Sequence, residues 1–242
     1  MHSPKYSEQT LAGMKGMASG MAGFIKEALT QDLPIESAGE QAETLMIRIW
    51  EGFESTLEDL PFLGEDNPLL SSLVGGAFGM NYYREMEAAG FSLTRAAVLV
   101  QGALGAMVRS QMNPQAIEYT KNVAFSAQTI GSQAERAQKR TYPDDWVFEC
   151  ALPQKSDDWD IGVTYTECAI EKMFRKYDCL RFLPYVCLND YVIYHEMGLD
   201  LTRTETLGNG GACCDFRIKF SQGERGVITD PASLAEFRGR NE

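Results

Sequence analysis

The chain has 242 residues, of which 44% are hydrophobic and 23% charged, and its formal net charge is -12. This composition is typical of a globular protein and excludes a disordered one. Because phosphate backbones and anionic lipids attract basic surfaces, we expect neither nucleic acid nor a membrane as a partner.

The first 140 residues are predicted to be nearly all helical. Hydrophobic periodicity and helix-ending residues predict five helices, over residues 1–33, 35–60, 69–89, 93–112 and 114–140. Ser37 with Glu40 is a candidate capping box for the second helix, and Ser92 is a candidate N-cap for the fourth. Repeated glycines in the first helix are predicted to permit close approach of a neighbouring helix: Gly13, Gly16, Gly20 and Gly23.

Neither a membrane span nor an export signal is expected. The longest apolar segment, residues 96–108, is too short to cross a bilayer of about 30 Å. The first ten residues lack the basic and apolar regions of a secretory signal, so a cytoplasmic location is expected. The six cysteines show no dense regular spacing and no CxxC pair, which favours reduced thiols over disulfides or a structural zinc site.

Composition changes at residues 141–145, a turn-rich segment. Beyond it, strands are predicted over 146–152, 159–165, 199–207 and 212–220, and helices over 167–177 and 188–197. This order predicts an α+β fold, with a helical N-terminal half followed by an antiparallel sheet that carries helices on one face. The expected divisions are a helical region (1–140), an α+β domain with the site (141–222) and a polar tail (223–242).

Residues 184–220 hold most of the candidate reactive side chains. Cys214 alternates with apolar residues along a predicted strand, which turns its thiol toward the core. Cys187 is predicted to precede a helix and Cys168 to lie where a strand gives way to a helix. At either position a helix N-terminus favours the thiolate.

Five further side chains complete the candidate site. Asp190 is either an N-cap or a proton carrier, and His195 lies ~140° from it around the predicted helix, which disfavours a direct relay between them. Arg203, on a predicted strand, needs an anion when it points inward, either a carboxylate of the chain or one of a substrate. The other two candidate binding residues are Thr206 and Tyr191.

Together these residues resemble the L-2-amino-thiazoline-4-carboxylic acid hydrolase family. The resemblance spans residues 80–220 and rests on Tyr165-Thr-Glu-Cys168, Leu183-Pro-Tyr-Val-Cys187-Leu-Asn-Asp190-Tyr191, Arg203-Thr-x-Thr206-Leu207, Gly210-Gly211 and Cys214-Asp215-Phe216. It implies hydrolysis of a C–N bond in a small cyclic amidine or imine that bears a carboxylate. In this interpretation Cys187 or Cys214 is the nucleophile and Asp190 or His195 moves protons. Arg203, Thr206, Cys168 and Tyr191 bind the substrate.

The same stretch is more distantly similar to the 4-vinyl reductase domain, which implies a sensing module without turnover as an alternative function. That domain can bind zinc, but here Arg203 and Thr206 stand at two of its four ligand positions. We therefore expect no metal and no cofactor. A decarboxylase or ring-opening lyase on the same scaffold is a third alternative, and the apolar helical stripes allow a pocket lid or a homo-oligomer face.

Overall fold

The computed structural model describes residues 6–33 and 38–220 and confirms the α+β fold. The N-terminal part consists of helices α1 (Glu8–Asp32), α2 (Ala38–Glu58), α3 (Leu70–Ala88), α4 (Leu93–Gln111), α5 (Pro114–Tyr119) and α6 (Ala127–Gln138). The second part contains strands β1 (Val147–Ala151), β2 (Ile161–Glu167), β3 (Asp200–Thr202) and β4 (Cys214–Lys219), with helices α7 (Ala169–Lys176), α8 (Leu183–Cys187) and α9 (Asn189–Glu196). No helix in these described ranges has both the length and the apolar character that crossing a bilayer requires.

Local sequence sets most of the helix boundaries. Ser92 accepts a hydrogen bond from the backbone N–H of Arg95, which confirms it as the N-cap of α4. The single helix predicted over residues 114–140 is wrong: after α5 the chain makes a π-helical turn (Thr120–Ala124), and Ser126 caps a new helix, α6. The predicted capping residue Ser37 and the predicted tail 223–242 lie outside the described residues.

The glycines of α1 do not mediate close helix packing. Met14, Ala18, Met21, Ile25 and Leu29 form the buried face of this helix. A Cβ atom added at any of the four glycines would meet no atom within 4 Å, because all four lie on the exposed side. The prediction of a glycine-lined helix contact is therefore wrong.

The four strands form one antiparallel sheet in the order β1-β2-β4-β3. Tyr165 of β2 pairs with Cys214 of β4, and the alternation predicted for β4 is confirmed, since Cys214, Phe216 and Ile218 are buried. β3 is shorter than predicted and ends at Thr202. Thr206 instead caps a 3₁₀ turn, Leu207–Asn209, which carries the chain back toward β4.

Helices α8 and α9 lie between the sheet and the helical part. Gly79 of α3 faces Val186 of α8, and Gly105 of α4 faces Val192 of α9. Glycine at these positions lets the backbones of each helix pair approach closely. The Tyr83 hydroxyl donates to the Tyr185 carbonyl oxygen at 3.3 Å, which fixes α8 on α3. The apolar core is continuous from α1 to β4, so the helical part supports the elements that carry the candidate site.

We expect Gly13→Ala and Gly20→Ala each to raise the free energy of unfolding by about 0.5–1 kcal/mol. Alanine loses less backbone entropy than glycine in a helix, and the space at both positions is open. Urea unfolding followed by circular dichroism measures the effect. The matched control is Gly52→Ala in α2, whose Cβ would lie 2.5 Å from Oδ1 of buried Asn81, so this substitution should lower stability. Equal effects at the exposed and crowded sites would contradict the packing described.

Candidate active site

The candidate site lies between the inner face of the sheet and helices α8 and α9. Tyr165, Cys214 and Phe216 line the sheet side, and Tyr191 and Tyr194 lie on α9. The rings of Tyr165 and Phe216 are 5.3 Å apart, and those of Tyr194 and Phe216 are 5.9 Å apart. These aromatic contacts enclose the polar groups of the site in an apolar wall.

Arg203 is the buried charge at the centre of the site, with a side chain only 1% exposed. Its Nη1 donates to Oδ2 of Asp190 at 2.7 Å, and its Nη2 donates to the carbonyl oxygen of Cys187 at 2.6 Å. The guanidinium carbon lies 4.6 Å from the centre of the Tyr191 ring and 5.0 Å from that of Phe216. Of the two anions that sequence left open for Arg203, the structure supplies the chain's own carboxylate.

Asp190 connects this buried pair to solvent. It lies in the first turn of α9, and its side chain is 34% exposed while its partner is almost completely covered. Oδ2 of the carboxylate accepts from the guanidinium, and part of the side chain remains accessible to solvent. A small cation or hydrogen-bond donor entering the site reaches Asp190 before it reaches Arg203.

Three thiols surround this ion pair, and the fold brings them together from three segments. Cys168 is the N-cap residue of α7, Cys187 is the last residue of α8, and Cys214 begins β4. Sγ of Cys214 accepts a hydrogen bond from the backbone N–H of Leu207 at 3.2 Å. The turn also packs on Cys187, since a Cβ at Gly208 would lie 3.1 Å from its Sγ.

The thiols are held in their neutral form. Burial raises the pKa of Cys187 well above its ordinary value, against the opposing effect of Arg203. It raises the pKa of Cys214 to about 12. Burial raises the pKa of Cys168 too, while hydrogen bonds from the backbone of Glu171 and Ile170 and from the Trp146 side chain lower it.

The structure confirms that both cysteines precede helices: Cys168 is the N-cap residue of α7, and Cys187 comes directly before Leu188, the N-cap residue of α9. The Cys168 side chain makes no capping hydrogen bond to α7, and burial leaves its pKa raised. Cys187 also ends the short helix α8, and the carbonyl end of a helix disfavours a thiolate.

The other three predicted site residues, Thr206, Tyr191 and His195, lie in three different environments. Thr206 is fully buried, and its hydroxyl oxygen accepts from the backbone N–H of Asn209, so it caps the turn. The Tyr191 ring packs against Arg203, as described above. His195 lies in the last turn of α9, and its buried Nδ1 has no hydrogen-bond partner among the described residues. No ion pair joins it to Asp190, whose carboxylate is bound to Arg203.

Asp215 holds the Arg203 segment against β4. Its carboxylate accepts from the backbone N–H groups of Thr204 and Glu205 and from the Thr204 hydroxyl, at 2.6–3.0 Å. Burial raises the pKa of this carboxyl, but these hydrogen bonds outweigh it, and the net pKa is lowered. The Cys-Asp-Phe element thus combines a thiol, an anchor for the loop and an aromatic floor for the arginine.

Two asparagines that sequence reasoning missed also belong to this region. The Nδ2 and Oδ1 atoms of Asn209 and Oδ1 of Asn189 are buried without a hydrogen-bond partner among the described residues. Buried amides of this kind normally bind a protein group, water or ligand. Asn209 lies in a Gly-Asn-Gly-Gly run that indicates only a turn, so no signal in the sequence distinguished it.

Within residues 6–33 and 38–220, no three His, Cys, Asp or Glu side chains are grouped closely enough to hold a metal ion. Arg203 and Thr206 occupy the positions at which the resemblance to 4-vinyl reductase domains places zinc ligands. The guanidinium at this point binds Asp190, so the local charge is already balanced within the chain.

We expect Asp190→Asn to destabilise the fold more than Arg203→Met. The first change leaves a guanidinium buried without its carboxylate, at a cost of about 3 kcal/mol or more. The second leaves a carboxylate that solvent can reach, since it is 34% exposed. Urea unfolding of both variants measures the difference, and a larger loss in Arg203→Met would contradict this account of the pair.

The buried thiol of Cys214 should make stability depend on alkaline pH. An unfolded cysteine ionises near pH 8.5, whereas the Cys214 pKa in the fold is about 12. Between these values only the unfolded chain loses the proton. The contribution of the Cys214 thiol to the free energy of unfolding is therefore fully present below about pH 8.5. It is lost as pH rises, by at most ~1.4 kcal/mol per pH unit. The free energy of unfolding measured between about pH 8 and 10.5 should fall less steeply in Cys214→Ala than in wild type. Parallel slopes would show that this thiol ionises normally.

A family model described as L-2-amino-thiazoline-4-carboxylic acid hydrolase matches residues 73–218. The matched region runs from α3 to β4 and includes every side chain of the cluster described above. The chain has no match among curated proteins and none among solved structures. Because the family model covers more than half of the sequence, the chain belongs to the L-2-amino-thiazoline-4-carboxylic acid hydrolase family.

Proposed function

We propose that the protein is a hydrolase that acts on the amidine carbon of a small carboxylated ring such as 2-amino-thiazoline-4-carboxylate, with a cysteine as nucleophile. The observation that carries the proposal is the ion pair of buried Arg203 with partly exposed Asp190, which lies among three thiols. The description of the matching family supports the substrate class.

Asp190 is the group suited to bind the amidine. A protonated amidine presents parallel N–H donors, which match the two oxygens of a carboxylate as a guanidinium does. The Asp190 side chain is 34% exposed, and its contact with Arg203 fixes its orientation. Asp190 thus both positions the amidine carbon near the thiols and carries protons to and from it.

Asn209 is the group suited to bind the substrate's carboxylate. Arg203 already donates to Asp190 and to the Cys187 carbonyl, so in this proposal its charge attracts the carboxylate through space. The Asn209 amide is buried on the turn that packs against Cys187, and its N–H donors have no partner among the described residues. An anion bound there would satisfy these donors and gain from the nearby guanidinium.

The reaction divides one difficult hydrolysis into two steps. A thiol sulfur adds to the amidine carbon, and its proton passes through Asp190 to the leaving heteroatom as the ring bond breaks. Water then adds to the same carbon, and one of its protons returns to the sulfur as the enzyme–carbon bond breaks. In the sequence-based interpretation a C–N bond breaks and the thiol is that of Cys187 or Cys214.

One observation favours the second candidate function, a binding module without turnover. Burial keeps the thiols neutral in the absence of a ligand, and a neutral thiol is a poor nucleophile. The same pocket would then recognise a carboxylated amidine without converting it. Binding with no product separates this function from the hydrolase.

We expect the purified 242-residue chain to hydrolyse 2-amino-thiazoline-4-carboxylate. We expect Asn209→Ala to raise KM at least about tenfold, with a smaller change in kcat. Cys150→Ser, a change in β1 outside the cluster, is the matched control and should keep the wild-type parameters. If calorimetry shows binding of this compound and no product forms, the binding module is the function and the hydrolase proposal is wrong.

Product analysis in the same assay identifies the bond that opens. The amidine carbon of this substrate carries nitrogen and ring sulfur, so opening the ring C–N bond yields a new primary amine. Opening the C–S bond yields a new thiol instead. A thiol-specific reagent applied to the protein-free product distinguishes them, and a thiol would contradict the C–N assignment.

A further inference from the structure

We propose that the hydroxyl groups of Tyr165 and Tyr194 bind the exocyclic nitrogen of the substrate's amidine and so determine specificity for an amino group at this position. This inference rests on the proposed function and adds two specificity-determining residues to the same site. It is carried by two tyrosines whose rings both lie against Phe216, one from the sheet and one from α9, and whose hydroxyls make no hydrogen bond to another described residue.

Tyr165 reaches the site from the sheet. It lies on β2, where it is paired with Phe148 of β1 and with Cys214 of β4. Its ring lies 5.0 Å from the ring of Phe148 and 5.3 Å from that of Phe216. Because the side chains of a strand stand roughly perpendicular to the sheet, these contacts hold the Tyr165 ring upright and carry its hydroxyl toward the layer of α8 and α9.

Tyr194 reaches the site from the helix side. It follows Asp190 by four residues in α9, and residues at this spacing are neighbours on one helix face. Helical side chains lean toward the N-terminus of their helix, so the Tyr194 ring leans toward Asp190. Contacts with the rings of Phe125 at 5.4 Å and Phe216 at 5.9 Å hold it there. The Tyr194 hydroxyl therefore lies on the same side of α9 as the carboxylate that binds the amidine in the proposed function.

Both hydroxyls are available to a ligand. No hydrogen bond joins either of them to another described residue, whereas the hydroxyl of Tyr82 donates to the Ala96 carbonyl oxygen at 2.8 Å. Enclosed tyrosine hydroxyls normally have such a partner, and a hydroxyl without one costs free energy. Tyr165 and Tyr194 are only partly exposed, and burial raises the pKa of each, so both hydroxyls stay neutral at physiological pH.

An amidine nitrogen matches this pair of hydroxyls. The exocyclic amino group of a protonated 2-aminothiazoline has two N–H donors, and one of them binds Asp190 together with the ring N–H. The second N–H points away from the carboxylate, where a neutral hydroxyl oxygen accepts it. When the thiol adds to the amidine carbon, this nitrogen gains a lone pair to which the other hydroxyl donates. Because a hydroxyl both accepts and donates, the pair fits the nitrogen before and after the addition.

The test compares Tyr165→Phe, Tyr194→Phe and the control Tyr82→Phe in the 242-residue chain. Each change removes one hydroxyl and keeps the ring. We expect KM for 2-amino-thiazoline-4-carboxylate to rise at least about tenfold in the first two variants and to change less than about twofold in the control. The urea midpoint should stay or rise in the first two variants, which lose a hydroxyl without a partner. It should fall in the control, which loses a hydrogen bond.

A second ligand separates this contact from general damage to the site. In 2-methyl-thiazoline-4-carboxylate a methyl group replaces the amino group, so the hydroxyls have no exocyclic nitrogen to bind. Its dissociation constant, measured by calorimetry, should agree within about twofold between wild type and both site variants. Equal weakening for both compounds would overturn the inference, as would a wild-type KM in Tyr165→Phe or Tyr194→Phe.

The wild type separates failure of this inference from failure of the proposed function. If it binds the amino compound and forms no product, hydrolysis is wrong, and a dissociation constant at least about tenfold weaker in the two site variants still supports the inference. If it neither binds nor hydrolyses the amino compound, the proposed function is overturned and the inference with it.

Discussion

The contact between Arg203 and Asp190 is the interaction on which the organisation of the site depends. A guanidinium that is 1% exposed is tolerated only with a carboxylate and good hydrogen bonds around it. Arg203 meets this requirement by joining Asp190 of α9, the carbonyl end of α8 and the Phe216 ring of β4. One side chain thus fixes two helices against the sheet. The cost of burying its charge is offset by the ion pair with Asp190 and the hydrogen bond to the Cys187 carbonyl.

The helical part provides the support for this arrangement. Helices α8 and α9 are too short to be stable alone, since isolated helices need more than about 12 residues. They are held because α3 and α4 present glycines where Val186 and Val192 approach, and because Arg109 of α4 forms an ion pair with Glu196. Helices α3 and α4 therefore contribute the surface on which α8 and α9 pack.

The same enclosure that protects the site from water keeps its thiols neutral. Burial is the largest influence on the pKa of all three clustered cysteines, and it acts against the thiolate. Reactivity in such an environment depends on local donors rather than on the overall charge of the chain.

The sequence by itself determined the α+β class and the inward face of β4. These features follow from side-chain periodicity and composition, which are local properties of the chain. It did not determine that α1 glycines face solvent, that residues 114–140 form two helices, or that Cys187 ends a helix. Nor did it reveal the buried amide of Asn209. Only the tertiary structure decided these points and the pairing of Arg203 with Asp190, because each depends on which distant segments meet and exclude water.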